Sequence, residues 1–188
     1  SKAATFTGAY GQDSPTAGAA SPSTGQGTGC LYDPINYLNL LTEGSWPAAT
    51  KLYSEKEMVK VFDRATACLT KEDDWQDRMK GLGIIQALAL GDGMEFQRDF
   101  INNLKRCHET LIAQISDLRS VLSKEGCRTV AILAKIMGNS FTSLAELLVP
   151  CILKLVVLKI RIMASAADRA MRIILSAVPQ GYPKLLPL

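Results

Sequence analysis

Asp73-Asp74-Trp75-Gln76-Asp77-Arg78 and Ser116-Asp117-Leu118-Arg119-Ser120 are two versions of one turn, and Lys159-Ile160-Arg161-Ile162-Met163 is a looser third. Trp75 to Leu118 is 43 positions, and Leu118 to Arg161 is another 43. Each stretch opens an apolar pattern of helical period. Self-similarity at about 40–47 residues is the mark of paired-helix solenoids, whose hairpins bury their faces only against neighbouring hairpins. Turns in such a fold line up along one edge, so the repeated turn predicts a linear binding ridge.

The segments around the turns complete three hairpins over about 53–180. Pro is absent between 48 and 149, and no stretch alternates like a strand. Ser54 with Glu57 forms a capping-box pattern for a first helix reaching Leu69, with a ragged face of Val59, Phe62, Ala65 and Ala67. Asp73 or Asp74 caps a second helix, striped by Trp75, Met79, Leu82, Ile85 and Ala89 and ended by Gly91 and Gly93. The third helix covers about Met94–Ile115, with Phe96, Phe100, Leu104, Cys107 and Leu111 on one face. Asp117 starts the fourth, striped by Leu118, Leu122, Gly126, Val130, Leu133 and Met137. Gly126 inside a helix costs about 1 kcal/mol relative to Ala, which close approach of a neighbouring helix would explain. Gly138-Asn139 closes that helix and Ser140 caps a fifth, from about Phe141 to Val157, kinked at Pro150. A sixth runs from about Arg161 to Val178, and residues 181–188 read as the start of a further hairpin or a tail. The expected fold is an all-α, HEAT-like α-solenoid of three antiparallel helical hairpins, preceded by an extended N-terminal arm over 1–52.

The arm is set apart by composition. Of residues 1–30, 23 are Gly, Ala, Ser, Thr or Pro and only Lys2 and Asp13 are charged, too little apolar surface to offset the entropy of ordering. Within 31–47, Tyr32, Tyr37, Leu41 and Trp46 stand among turn formers and cannot make a core of their own. They are expected to be arm contacts, against a partner or folded back on the first hairpin. An arm that orders only against a partner points to a large assembly.

Several chemistries find no support. The net charge of +3 is too small to imply nucleic acid, although Lys154, Lys159, Arg161, Arg169 and Arg172 face only Asp168 between positions 154 and 172. On charge alone that run reads as a solvated face. The five cysteines are scattered singly, which predicts reduced thiols rather than a zinc site or disulfides. Cys107 and His108 are adjacent, but neighbours on a helix point in different directions and do not form a nucleophile–base pair. Glu72-Asp73-Asp74 reads as helix capping rather than a metal site, and Gly91-Asp92-Gly93 lacks the strand of a phosphate loop. No catalytic residues, metal or cofactor are expected. In the apolar stretch Leu144–Met163 the longest uncharged run is Leu147–Leu153, far short of the ~20 residues of a membrane span, so a soluble protein is expected. The chain starts at Ser1, which suggests a removed start or a piece of something longer.

Asp74-Trp75-Gln76-Asp77-Arg78-Met79-Lys80-Gly81-Leu82 resembles the start of the second helix in TOG domains. Ser116–Val121 with Lys124-Glu125-Gly126-Cys127, and Lys159–Ala167, are similar to the second and third turns of the CLASP (cytoplasmic linker-associated protein) branch. The likeness runs over about 53–188, three hairpins in register, roughly half the hairpins of a whole TOG domain. It implies a non-enzymatic, microtubule-associated protein whose turn edge binds αβ-tubulin. By the resemblance Trp75 packs on tubulin, Leu118 adds an apolar contact, and Arg78, Arg119, Lys159 and Arg161 meet its acidic surface. On the apolar pattern alone, Trp75 reads as the first core residue of its helix. The resemblance places the protein in the cytoplasm and cytoskeleton, and the arm suggests other subunits of a microtubule-bound assembly, with a cilium or flagellum axoneme as one setting. The alternative is a HEAT-repeat scaffold or adaptor with no tubulin binding of its own.

Overall fold

The computed structural model describes Leu41 and residues 47–178. Among these residues the chain forms seven α-helices, two 3-10 turns and no strand. Helix α1 is Glu55–Leu69, α2 Trp75–Leu90, α3 Gln97–Arg106, α4 His108–Ile115, α5 Ser120–Met137, α6 Thr142–Val156 and α7 Arg161–Ala177. The 3-10 turns are Asp92–Phe96 and Gly138–Phe141.

The helices make three antiparallel hairpins: α1 with α2, the broken pair α3–α4 with α5, and α6 with α7. Helices α1, α3–α4 and α6 form one layer, and α2, α5 and α7 the other. Each element packs mainly on its partner and on the equivalent helix of the next hairpin, so the fold is a HEAT-like solenoid. Because α5 lies between α2 and α7, it is buried around most of its girth, Arg128 and Thr129 included.

The 43-residue period reappears in the contacts. Gln86 Nε2 donates to Thr129 Oγ1 at 2.7 Å, and Gln97 Nε2 to Ser140 Oγ at 2.6 Å, each joining positions 43 apart. A polar layer surrounds the first bond: Glu125 accepts from Gln86 at 2.7 Å and from Arg128 at 2.9 Å. Buried polar groups matched in this way fix the register of one hairpin on the next. Within hairpins the helices approach through small residues. A Cβ on Gly126 would lie 3.1 Å from Ile115 Cγ1, and one on Gly81 2.8 Å from Leu69 Cγ. Fully buried Ala166 and Ala167 stand at the corresponding place in the third hairpin. The Phe62 and Phe100 rings, tilted at 59° with centroids 5.5 Å apart, join α1 to α3.

Several local expectations are corrected. The buried face of α1 is Met58, Phe62, Ala65 and Leu69; Val59 is half-buried and Ala67 exposed. Ser54 Oγ accepts from Glu57 N, but Glu57 Oε2 takes the amide of Tyr53 rather than that of the cap residue. The third helix is split: Cys107, at φ −99° and ψ 12°, separates α3 from α4. Asp117 does not cap α5, which begins at Ser120; its Oδ1 accepts from the amide of Arg119, two residues on. Ser140 caps nothing, since its hydroxyl accepts from Gln97. Asp74 does cap α2, accepting from the amides of Gln76 and Asp77 at 3.0 Å. Pro150 lies inside α6 on an exposed stripe with Glu146 and Leu147, so the carbonyl it leaves unpaired faces solvent.

The segment before α1 is tied to the far end of α2. Thr50 donates to the Ala87 carbonyl at 2.9 Å and accepts from the Asp92 amide, and the Leu52 amide donates to Asp92 Oδ2. Gly91 permits this approach, because a Cβ there would lie 2.0 Å from Thr50 O. Leu52 and Leu41 are both buried in the core cluster of the body. The span Ser120–Val156 contains a window of mean hydropathy 1.4, apolar enough to cross a membrane by length and composition alone. Here it is two helices of one solenoid, reversed at Gly138, whose φ is 54°.

Candidate protein-binding edge

The hairpins turn at 70–74, 116–119 and 157–160, and the bonds between them hold these turns side by side. Arg78, in the first turn of α2, reaches Asp117 of the second hairpin at 2.5 Å. Gln114 Nε2 donates to the Leu69 carbonyl at the end of α1, and Ser116 Oγ lies 3.0 Å from Cys151 Sγ of α6. Lys124 of α5 and Arg161, Ile162, Ser165 and Arg169 of α7 line one cleft.

The first turn is polar and paired within itself. Asp77 takes the ammonium groups of Lys71 and Lys80, and these two contacts hold its carboxyl down at about 2. Trp75 is not a core residue: at the first position of α2 it projects past the hairpin end and stays 38% exposed. In the second turn, burial pushes the Asp117 carboxyl up, but the Arg119 amide and the Arg78 guanidinium outweigh it and hold it below the usual carboxylate value. Asp117 thereby braces the turn from which Leu118 stands out, 91% exposed. Arg119 is exposed and lies 3.7 Å from Asp117. Arg78, expected on the binding surface, is buried at 8% exposure and turned toward Asp117.

The third turn differs from both. Val157, Leu158, Lys159, Ile160, Arg161 and Ile162 are all exposed, and among the described residues Lys159 and Arg161 make no ion pair. Ten large hydrophobic side chains are exposed in the described chain, and seven lie on this edge: Trp75, Leu118, Val121, Val157, Leu158, Ile160 and Ile162. Of these the sequence pointed only to Trp75 and Leu118. Val121 was legible as an apolar residue falling outside the predicted stripe of its helix. Of the arm contacts, Leu41 packs in the core cluster, while Tyr32, Tyr37 and Trp46 lie outside the described residues, as does 181–188.

Cys107 and His108 do not form a pair. Burial pushes the Cys107 thiol up to about 11, and its Sγ donates to the Leu104 carbonyl. His108 Nδ1 lies 2.7 Å from the Lys105 carbonyl, turned back along its own helix. Cys127 is pushed up to about 12 by burial, and Cys151 is buried as well. Cys68 is half-exposed.

Known proteins match this part of the chain. The model of the CLASP N-terminal family covers residues 56–184, from the first helix past the last. A CLIP-associated protein of Arabidopsis thaliana is 31% identical over 125 residues, 66% of this chain and 9% of that protein. CLIP-associating protein 1-B of Xenopus laevis is 26% identical over 179 residues, 93% of this chain and 12% of that protein. CLIP-associating protein 1-A of Xenopus laevis is 27% identical over 139 residues, 73% and 9% of the two chains. The sequence therefore spans about a tenth of the length of these relatives. With all three hairpins inside the match, the solenoid and its row of turns belong to the CLASP N-terminal family.

Proposed function

We propose that this domain is a microtubule-associated binding module that docks αβ-tubulin with its turn edge and catalyses no reaction. The observation that carries the proposal is the gathering of seven of the ten exposed large hydrophobic side chains on one edge, beside Arg119, Lys159 and Arg161. Apolar anchors in a basic rim suit a protein partner with an acidic surface: the anchors supply affinity, the charges steer encounter and set orientation. Kinship with CLIP-associating proteins supports the choice of a cytoskeletal, cytoplasmic partner. Trp75 and Leu118 are the anchors of the first two turns. Arg78 serves the site from behind, holding Asp117 and with it the second turn. An axonemal setting or further assembly subunits would rest on the arm, most of which lies outside the described residues.

Trp75→Ala combined with Arg119→Ala tests this. Both groups are exposed, so helical circular dichroism should be unchanged while co-sedimentation with microtubules is lost. Pelleting equal to that of the parent chain would overturn the proposal and favour a scaffold or adaptor without tubulin binding.

A further inference from the structure

Between the first turn and α4 lies a cleft of about 490 Å³, within the roughly 300–1,000 Å³ typical of ligand sites. Leu69, Glu72, Arg78, Glu109, Ala113 and Gln114 are among the residues that line it. We infer that this cleft is a docking site for a basic side chain, arginine or lysine, on a peptide segment of a protein partner.

Two buried side chains lining the cleft have hydrogen-bonding capacity to spare. Gln114 is 1% exposed and Arg78 8% exposed, yet the Gln114 Oε1 acceptor and the Arg78 Nε–H donor have no partner among the described residues. The Gln114 amide is fixed in this orientation, because its Nε2 donates to the Leu69 carbonyl at 3.1 Å and to the Thr110 carbonyl at 2.9 Å. Arg78 spends its Nη2 on Asp117, which leaves the Nε–H over. Buried donors and acceptors are nearly always paired, since an unmade bond costs the hydration of the group without return. A group that completes this cleft therefore brings a donor for Gln114 and an acceptor for Arg78.

Charge then selects the donor. Arg78 is balanced by Asp117 at 2.5 Å, and Lys71, beside Glu72 in sequence, is taken by Asp77. Glu72 and Glu109 are exposed and enter no ion pair among the described residues. The cleft is thus negative in a chain whose net charge is +3, and it takes the opposite charge from the turn edge with its Arg119, Lys159 and Arg161. A basic side chain meets every requirement. Its cationic head donates to Gln114 Oε1 and to the two carboxylates, and its aliphatic stem lies along Leu69 and Ala113. The peptide carbonyl of the same segment accepts from Arg78 Nε–H. Other ligands fit less well. An anion would meet two carboxylates and leave Gln114 without a donor, whereas a metal ion would meet the Arg78 guanidinium and leave its Nε–H without an acceptor.

The test uses a fluorescein-labelled hexapeptide of alternating glycine and arginine, titrated with the whole 188-residue chain in low salt and followed by anisotropy. The same peptide with citrulline, which keeps the shape of arginine without its charge, is the comparator. The arginine peptide should bind at least about tenfold more tightly. Glu72→Gln with Glu109→Gln should weaken its binding about fivefold or more, while Glu55→Gln with Glu146→Gln, an equal change of charge at exposed sites on α1 and α6, should leave it unaltered. Circular dichroism checks that each variant keeps its helices. Nuclear magnetic resonance on the parent chain needs no variant: the side-chain amide signals of Gln114 should shift as the arginine peptide is added. Absence of binding, equal binding of the citrulline peptide, equal losses in the two pairs of variants, or Gln114 signals that do not move would each overturn the inference, and the buried atoms would then hold water alone. This contact and tubulin docking by the turn edge can fail separately. Trp75→Ala with Arg119→Ala can abolish microtubule pelleting while the arginine peptide still binds, and the Glu72 and Glu109 substitutions can abolish peptide binding while pelleting persists.

Discussion

The first and third turns of the solenoid occupy equivalent places in their hairpins and have opposite chemistry. The first, Thr70 to Asp74, is polar throughout; Asp74 caps the helix that follows, and Lys71 is paired with Asp77 beyond it. The third, Val157 to Ile160, has three exposed aliphatic side chains and is held through the backbone, Leu158 N–H donating to the Leu155 carbonyl and Ala164 N–H to the Ile160 carbonyl. The second turn lies between them, braced by Arg78 and Asp117 yet presenting Leu118 to solvent. A turn that satisfies its own groups is built for stability. One that leaves aliphatic and cationic groups exposed suits the docking role proposed for this edge. Substitution in the bracing should therefore act on folding, and substitution in the third turn on binding.

The largest effect should come from Asp117→Ala. Removing one member of a mostly buried ion pair leaves the guanidinium of Arg78 without its partner, at a cost of about 3 kcal/mol. Urea denaturation measures this, and a loss below about 1 kcal/mol would mean that the brace is too well solvated to matter. Changing both residues, Arg78→Met with Asp117→Asn, should cost less than Asp117→Ala alone. Acid acts on the same contacts. Asp77 and Asp117 have folded carboxyls below the ordinary value of 3.8, so their contribution is complete above that pH. It is lost as pH falls through the folded values, which for Asp77 is about 2. Unfolding midpoints should therefore drop below pH 3.8 in the parent chain, and drop less in Asp77→Asn. Equal acid sensitivity of the two would break the assignment.

The arm boundary offers the next largest effect. Composition alone separates 1–52 from the body, which predicts that deleting 1–50 leaves the melting temperature nearly unchanged. Leu52 is buried, however, and Thr50 and Leu52 both bond to the region following α2. Leu52→Ala should cost about 2 kcal/mol, and deletion through residue 52 at least as much. A deletion variant that melts with the parent would restore the boundary read from composition.

These contrasts also mark what the sequence could reveal. The hairpins and their turns were legible because they repeat at 43 residues, and the close approach at Gly126 because a glycine inside a helix is costly unless packing requires it. Arg78 was not legible as a buried brace. A basic residue in the first turn of a helix reads as surface, and the partner that makes its burial tolerable stands 39 residues away. The same holds for Asp117 and Ser140, which read as caps by type but are drawn to Arg78 and Gln97 in the preceding hairpin. Trp75 failed differently: its place on the apolar stripe is genuine, but the stripe runs on past the hairpin end. The Cys107 break lies within a periodic pattern that continues across it.

Two glycines give a smaller, paired effect. Gly126→Ala would put a methyl group 3.1 Å from both the backbone and the side chain of Ile115, and should destabilise by about 1–2 kcal/mol. Gly83, in α2, has nothing within 4 Å of its added Cβ, so Gly83→Ala should stabilise by about 0.5–1 kcal/mol. Opposite signs in thermal melts confirm that packing of one helix on the other, and not helix propensity, retains Gly126.

The smallest effect on folding should come from the third turn, and that smallness is what makes the variant informative. Val157 is 82% exposed, Ile160 48% and Ile162 58%, so serine in their place removes little buried surface. Val157→Ser, Ile160→Ser and Ile162→Ser together should stay within about 0.5 kcal/mol of the parent in urea. If the turn is a docking surface, the same triple variant should lose about tenfold or more in microtubule affinity, because those side chains can be fully covered only in the complex. A loss of stability as large as that of Asp117→Ala would show that the third turn is bracing like the first two. Unchanged stability with unchanged affinity would confine binding to Trp75 and Leu118, and the exposed aliphatic groups of the third turn would then need a different partner.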